Sequence, residues 1–186
     1  VGAALNRIFN VRRREMIGDK LSYRTHWTVR RYADDAAFAA GAPTPIRQAD
    51  GQMLPGISEI EGNVLLNEGI QLLLDLLIGA GGTTYANANA YIGVGEDSTA
   101  AAASQTGLLG STTTFRPMES GYPSRSGQTV TWRAVFGSSD ANIAWNEFSV
   151  VNGSSSAGTN LNRRVSAQGT KASGQTWTVD VSITIS

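Results

Sequence analysis

The sequence predicts a mainly β protein, an antiparallel β-sandwich or jelly-roll-like domain with one buried helix and an extended N-terminal arm. Three observations predict it. In the last run, Trp177, Val179, Val181, Ile183 and Ile185 alternate without a break with Thr176, Thr178, Asp180, Ser182, Thr184 and Ser186, the period-two pattern of a half-buried antiparallel strand. From Asn89 onward, about six such segments follow one another with turn residues between them, as in a sandwich or closed Greek-key sheet. Only Asn63–Ile78 carries a sustained helical apolar pattern. Two regions follow: an arm over residues 1–61, and a β domain over 62–186 with its helix near 63–78.

The arm lacks a steady period. Leu21–Tyr32 alternates loosely enough for one strand anchored by Tyr23, Trp27 and Val29, and Asp34–Ala40 forms a helical turn. Gly41-Ala42-Pro43-Thr44-Pro45 then imposes extended geometry. Scattered aromatics imply a segment that packs against something else, such as a neighbouring subunit.

In the helix, Asn63 is read as the N-cap and Glu68 falls in the early turns, while Gly79-Ala80-Gly81-Gly82 ends it. Leu65, Leu66, Ile70, Leu73, Leu74 and Leu77 make a broad apolar face that Leu72 and Leu76 widen. Burial on more than one side is expected, at a sandwich end or a subunit contact. Gly69 costs roughly 1 kcal/mol of helix propensity relative to Ala and allows close packing. The strands then run Ala90–Gly95, Thr112–Met118, Gln128–Phe136, Ile143–Val151, Leu161–Ala167 and Gln175–Ile185. Trp132, Trp145 and Trp177 sit in or beside them and read as core.

Composition narrows the chemistry. The 186 residues hold 16% charged side chains, against roughly 25% in an average soluble domain. There is no cysteine, which excludes disulfides and thiolate metal sites. Net charge is zero, yet residues 1–50 hold nine Lys/Arg against five acids, a net of +4 that leaves −4 for the remainder. The basic arm therefore suits an acidic surface. Its positive charge is interrupted by Glu15, Asp19, Asp34 and Asp35, which argues against a nucleic-acid partner. Ile70–Ala80, the longest apolar stretch, is broken by Gln71 and Asp75 and falls short of the ~20 residues of a membrane span.

Catalytic patterns are weak. His26 is the sole histidine, and a Ser–His–Asp triad would have to use it from within the arm. Gly93-Val94-Gly95-Glu96-Asp97 lacks the Gly-Lys-Ser/Thr ending of a phosphate loop. Glu96, Asp97 and Ser98 offer oxygens but no alternating Ca²⁺ loop. Among Glu119, Asp140 and Glu147 no spacing favours a glycosidase pair. No cofactor, metal or catalytic residue is assigned.

Asn89–Gly95 followed by Ser98-Thr99-Ala100-Ala101 and Gln105-Thr106-Gly107-Leu108 resembles a pattern in virion structural proteins of tailed bacteriophages. So do Trp145-Asn146-Glu147-Phe148 with Asn152-Gly153, and Leu161-Asn162-Arg163-Arg164 with Gly169–Thr178. The resemblance covers about residues 63–186. It implies a non-enzymatic capsid decoration (cement) protein on the capsid exterior, whose partners are the major capsid protein or neighbouring virion subunits. A homo-oligomer, a trimer among the options, is implied as well. Sixty extended residues reach up to roughly 200 Å, so the arm would span subunit joints, with Arg12, Arg13, Arg14, Tyr23, Trp27, Arg30, Arg31 and Tyr32 as its assembly contacts. The alternative is a tail, baseplate or fibre component with receptor or glycan binding, its platform formed by loop aromatics near Tyr85 and Tyr122.

Overall fold

The computed structural model describes residues 22–186; Arg12, Arg13 and Arg14 lie outside the described residues. The elements in chain order are β1 (Tyr23–Tyr32), α1 (Asp35–Ala39), β2 (Ile46–Arg47), β3 (Met53–Leu54), β4 (Ile57–Glu61), β5 (Val64–Leu65) and α2 (Asn67–Ile78). There follow β6 (Tyr91–Gly95), β7 (Thr113–Pro117), β8 (Ser124–Ser126), β9 (Thr129–Phe136), β10 (Glu147–Val151), β11 (Asn162–Val165) and β12 (Thr176–Ile185). Two five-stranded antiparallel sheets form a sandwich. Sheet one is ordered β4-β1-β12-β9-β8 and sheet two β5-β11-β10-β6-β7, with a two-stranded ribbon β2-β3 beside them.

The inner face of sheet one follows from the alternation. Trp27, Val181 and Trp132 lie side by side across β1, β12 and β9, as do Val29, Val179 and Ala134. Opposite them sit Ile92, Val94, Phe148 and Val150 of sheet two, all solvent-inaccessible. Aromatic rings join the layers: Trp27 to Phe148 with centroids 5.9 Å apart, Trp145 to Trp177 at 4.9 Å and Trp145 to Phe136 at 4.8 Å. Edge-on and tilted geometries suit their quadrupoles.

The arm expectation is corrected over residues 23–61. There β1 is the second strand of sheet one, paired along all ten residues with β12 and on its other side with β4. Trp27 and Val29 are fully buried, and buried strands held on both edges are core, not reach. The helix boundary also differs. Asn63 does not cap α2, because its Oδ1 accepts hydrogen bonds from the Tyr23 hydroxyl (3.2 Å) and Thr25 Oγ1 (3.1 Å). Val64 and Leu65 pair with Arg163 and Asn162, so the helix starts only at Asn67, behind an extended Leu66 with no side-chain cap. Gly79 closes it in the left-handed conformation, φ 72°, as a glycine there allows. The helical turn after Asp34 forms as expected, with Asp34 Oδ1 accepting from the Ala37 N–H at 2.7 Å.

Candidate functional site

The expected assembly contacts on β1 are spent inside the chain. Trp27 is in the aromatic core and Tyr32 is buried against Phe38, ring centroids 5.2 Å apart. Arg31 points inward: Nη1 donates to Ser58 Oγ (2.8 Å) and Pro55 O (2.9 Å), and Nη2 to Gln168 O (2.8 Å) and Oε1 (2.9 Å). Its guanidinium lies 4.8 Å from the Trp177 ring centroid, and burial pushes it below its ordinary pKa. Such a site favours the weakly hydrated, five-donor guanidinium over lysine. Tyr23 is half-buried and tied to Asn63. None of Trp27, Arg31 or Tyr32 is free to touch a neighbour.

Arg30 faces outward on sheet one, but as part of a closed charge cluster. Asp180 accepts from Arg30 Nη1 (2.6 Å) and from Arg133 Nε (2.6 Å) and Nη2 (2.7 Å). Burial alone would raise the Asp180 carboxyl; the hydrogen bonds and charges of Arg133 and Arg30 hold it below the usual carboxylate range. Arg133 also stacks over Tyr122, 4.8 Å from its centroid. A hollow of about 380 Å³ lies beside this cluster, lined by Arg30, Tyr32, Phe38, Glu119 and Arg133 among others. Its cations are already neutralised by Asp180 and Glu119. The expected aromatic platform near Tyr85 and Tyr122 is likewise absent: Tyr85 is buried in the core and Tyr122 is half-covered.

A second polar cluster was not foreseen. Glu147 and Arg163 project from neighbouring strands on the outer face of sheet two, and both side chains are inaccessible to solvent. Glu147 accepts from the N–H groups of Leu109 (3.0 Å) and Gly110 (2.7 Å) as well as from Arg163 Nε (2.8 Å). Arg163 further donates to Thr99 O (2.8 Å), Gln105 Oε1 (3.1 Å) and Asp97 Oδ1 (3.0 Å). The pair thus clamps the connection between β6 and β7 onto the sheet. Asp97 accepts from the Thr99 N–H at 2.7 Å, and that bond heads the causes that lower its pKa. Among the described residues no group of three or more His, Asp or Glu side chains converges to hold a metal. Both ring nitrogens of His26 contact carboxylates, Nδ1 to Glu61 (2.7 Å) and Nε2 to Glu59 (2.5 Å), so its neighbours are acids and no triad forms around it.

What is left over is apolar. The inner side of α2 is fixed to the body: Gly69 lies against the Leu161 and Asn160 backbone, Leu72 is buried, and Glu68 Oε1 accepts from the Asn160 N–H at 2.7 Å. At ~100° per residue, Ile70, Leu73, Leu74, Leu77 and Ile78 fall on a separate stripe roughly 140° wide. Their exposures are 38%, 41%, 56%, 80% and 76%. The expectation of burial on more than one side holds for one side only within this chain. No helix among the described residues is long and apolar enough to cross a membrane. The stripe amounts to on the order of 400 Å² of contiguous apolar surface, the size at which such patches mark interaction sites. Comparison with protein-family models, curated proteins and solved structures gives no match, so the α2 stripe stands as the candidate functional site on its own residues.

Proposed function

We propose that the protein is a non-enzymatic structural subunit of a tailed-phage virion, a capsid decoration protein that binds and stabilises the shell. The observation that carries the reading is the outer stripe of α2, a wide apolar surface held rigidly on a β-sandwich. An assembly subunit needs such a surface, because burying it on a neighbour is favourable by about 25 cal/mol per Å². The internal use of Arg30, Arg31, Arg163 and Glu147 supports the same reading: these charged groups fix loops and strands in place, as suits a rigid building part. The sequence resemblance to virion structural proteins adds the context.

The test is location. Particles carrying an epitope-labelled copy are imaged by electron microscopy after purification. Label on the shell is the expected result. Label confined to the tail or baseplate replaces decoration with the tail reading, and particles without label overturn the virion assignment. Any truncation used to probe the N-terminus must stop at residue 21, since removal of β1 takes away a strand of sheet one.

A further inference from the structure

We infer that the outer stripe of α2 is a self-association seam, covered by the same stripe of a second copy of this chain. The inference deepens the proposed assembly role and rests on it only for its context.

The spacing is that of helix against helix. Ile70, Leu73, Leu74 and Leu77 recur at i, i+3, i+4 and i+7, the pattern by which side chains of one helix fit between those of another. The seam carries no charge. The helix has two charged residues, both acidic. Glu68 is engaged by the Asn160 N–H, and Asp75 lies on the polar strip with Gln71, far around the helix from Leu77. An identical stripe brought against this one therefore opposes no like charges and buries none unpaired, whereas a charged partner would leave its own groups desolvated against leucine. Net charge is zero, so two copies meet without long-range repulsion.

Area points the same way. A stable interface takes about 800 Å² per partner, with an apolar centre and a polar rim. The stripe supplies the centre, and the exposed Gln71, Asp75 and the loop 79–84 lie around it as rim. The presenting helix is already ordered: besides the Gly69 contact, the Leu66 N–H donates to Leu161 O (3.1 Å) and the Asn67 N–H to Ala103 O (2.8 Å). Little conformational entropy remains to be lost on docking. Symmetry then sets a specific geometry: in a two-fold homotypic contact residue i of one copy meets residue j of the other and j meets i, and only residues at the middle of the seam, near the axis, face their own counterparts.

The test uses the full chain. Its native mass is measured by sedimentation over a range of concentrations for the wild type and for a Leu74→Asp/Leu77→Asp double variant. The wild type is expected to be a homo-oligomer, and the variant to associate on the order of 100-fold or more weakly with an unchanged far-UV CD spectrum. The absence of cysteine provides the second arm. A single Leu74→Cys, at the middle of the seam where the two-fold axis passes, is expected to give covalent pairs under mild oxidation, while Asp75→Cys remains mostly monomeric on a denaturing gel. A monomeric wild type, a double variant that keeps the wild-type mass, or equal cross-linking at residues 74 and 75 overturns the seam. None of these results bears on whether the protein sits in a particle, which the labelling experiment decides separately.

Discussion

Arg163 and Glu147 meet as a solvent-inaccessible ion pair, Nη2 2.7 Å from Oε2, on adjacent strands of sheet two. Burying two charges is costly, and the pair is tolerated because every guanidinium nitrogen and both carboxylate oxygens are hydrogen-bonded. Glu147 takes two backbone N–H groups, and Arg163 reaches Thr99 O, Gln105 and Asp97. The connection between β6 and β7 is held down by this arrangement instead of by its own secondary structure.

Removing either partner alone leaves an uncompensated buried charge. Glu147→Ala and Arg163→Ala are each expected to lose about 3–5 kcal/mol of unfolding free energy. The double variant should lose clearly less than the sum, because the orphaned charge is gone as well. Urea titration of the four proteins completes the cycle; additive losses would mean that the two residues act through separate contacts.

Gly69 supplies a sharper test of how α2 is seated. Alanine in a helix interior gains up to about 1 kcal/mol over glycine, so propensity alone favours Gly69→Ala. A Cβ at this position, however, would lie 2.6 Å from both Cα and O of Leu161 and 2.8 Å from Asn160 O. These are backbone atoms of the segment leading into β11 and cannot swing aside. A net destabilisation of about 1–3 kcal/mol is expected, measured by thermal or chemical unfolding. A stabilised variant would mean that the helix can lift from sheet two at little cost.

Much of this architecture was legible in the chain. The alternation of β12 and β9 is unbroken, and the Gly-rich stop of α2 lies where the helix ends. The misread portion has a physical cause. On β1 the inward residues are Thr25, Trp27, Val29 and Arg31, so a buried arginine and threonine sit where the pattern demands apolar side chains, and the strand looks like part of a loose basic arm. The two-residue strands β2, β3 and β5 are too short to show any period. Glu147 and Arg163 are 16 residues apart on strands joined by a long loop, and local spacing cannot announce such a pair. The one available signal was a carboxylate opening the otherwise uncharged strand Phe148–Val151. For α2, the sequence shows how wide the apolar face is, but only the packing on Leu161 divides it into a covered half and a bare one.

The lone histidine provides a clean titration. Both ring nitrogens of His26 can donate only in the imidazolium form, and carboxylates stand at both. The hydrogen bond to Glu61 is the largest influence raising its pKa; partial burial opposes it and Glu59 reinforces it. NMR of the single imidazole should therefore give a midpoint above 6.5, returning towards that value in Glu59→Gln/Glu61→Gln. The sign for stability follows from linkage. A raised folded pKa contributes stability that is fully present below the unfolded value of 6.5 and lost as pH rises through the folded midpoint. A midpoint at or below 6.5 in the wild type would show that the two contacts do not persist in solution.

Lys171 should behave in the opposite sense. The residue is inaccessible to solvent, and its Nζ donates to Gly137 O and Asn142 Oδ1, each at 2.7 Å, with no carboxylate in direct contact. Burial therefore lowers its pKa from 10.5 to about 8, against the weaker pull of Asp140 and Asp35. With the folded value depressed, the unfolded chain binds more protons between about pH 8 and 10.5, so stability rises with pH across that window. Below pH 8 the cost of holding a charged ammonium there is fully present. Tyr85 works against this at the alkaline end, since burial raises its phenol above its ordinary pKa and its ionisation disfavours the fold. Comparing the wild type with Lys171→Met removes that background. Unfolding free energies measured from pH 7 to 10 should show the wild type gaining on the Met variant as pH increases. A difference that stays flat across this range would mean that Lys171 keeps its ordinary pKa, with solvent reaching the ammonium through the loop between β9 and β10.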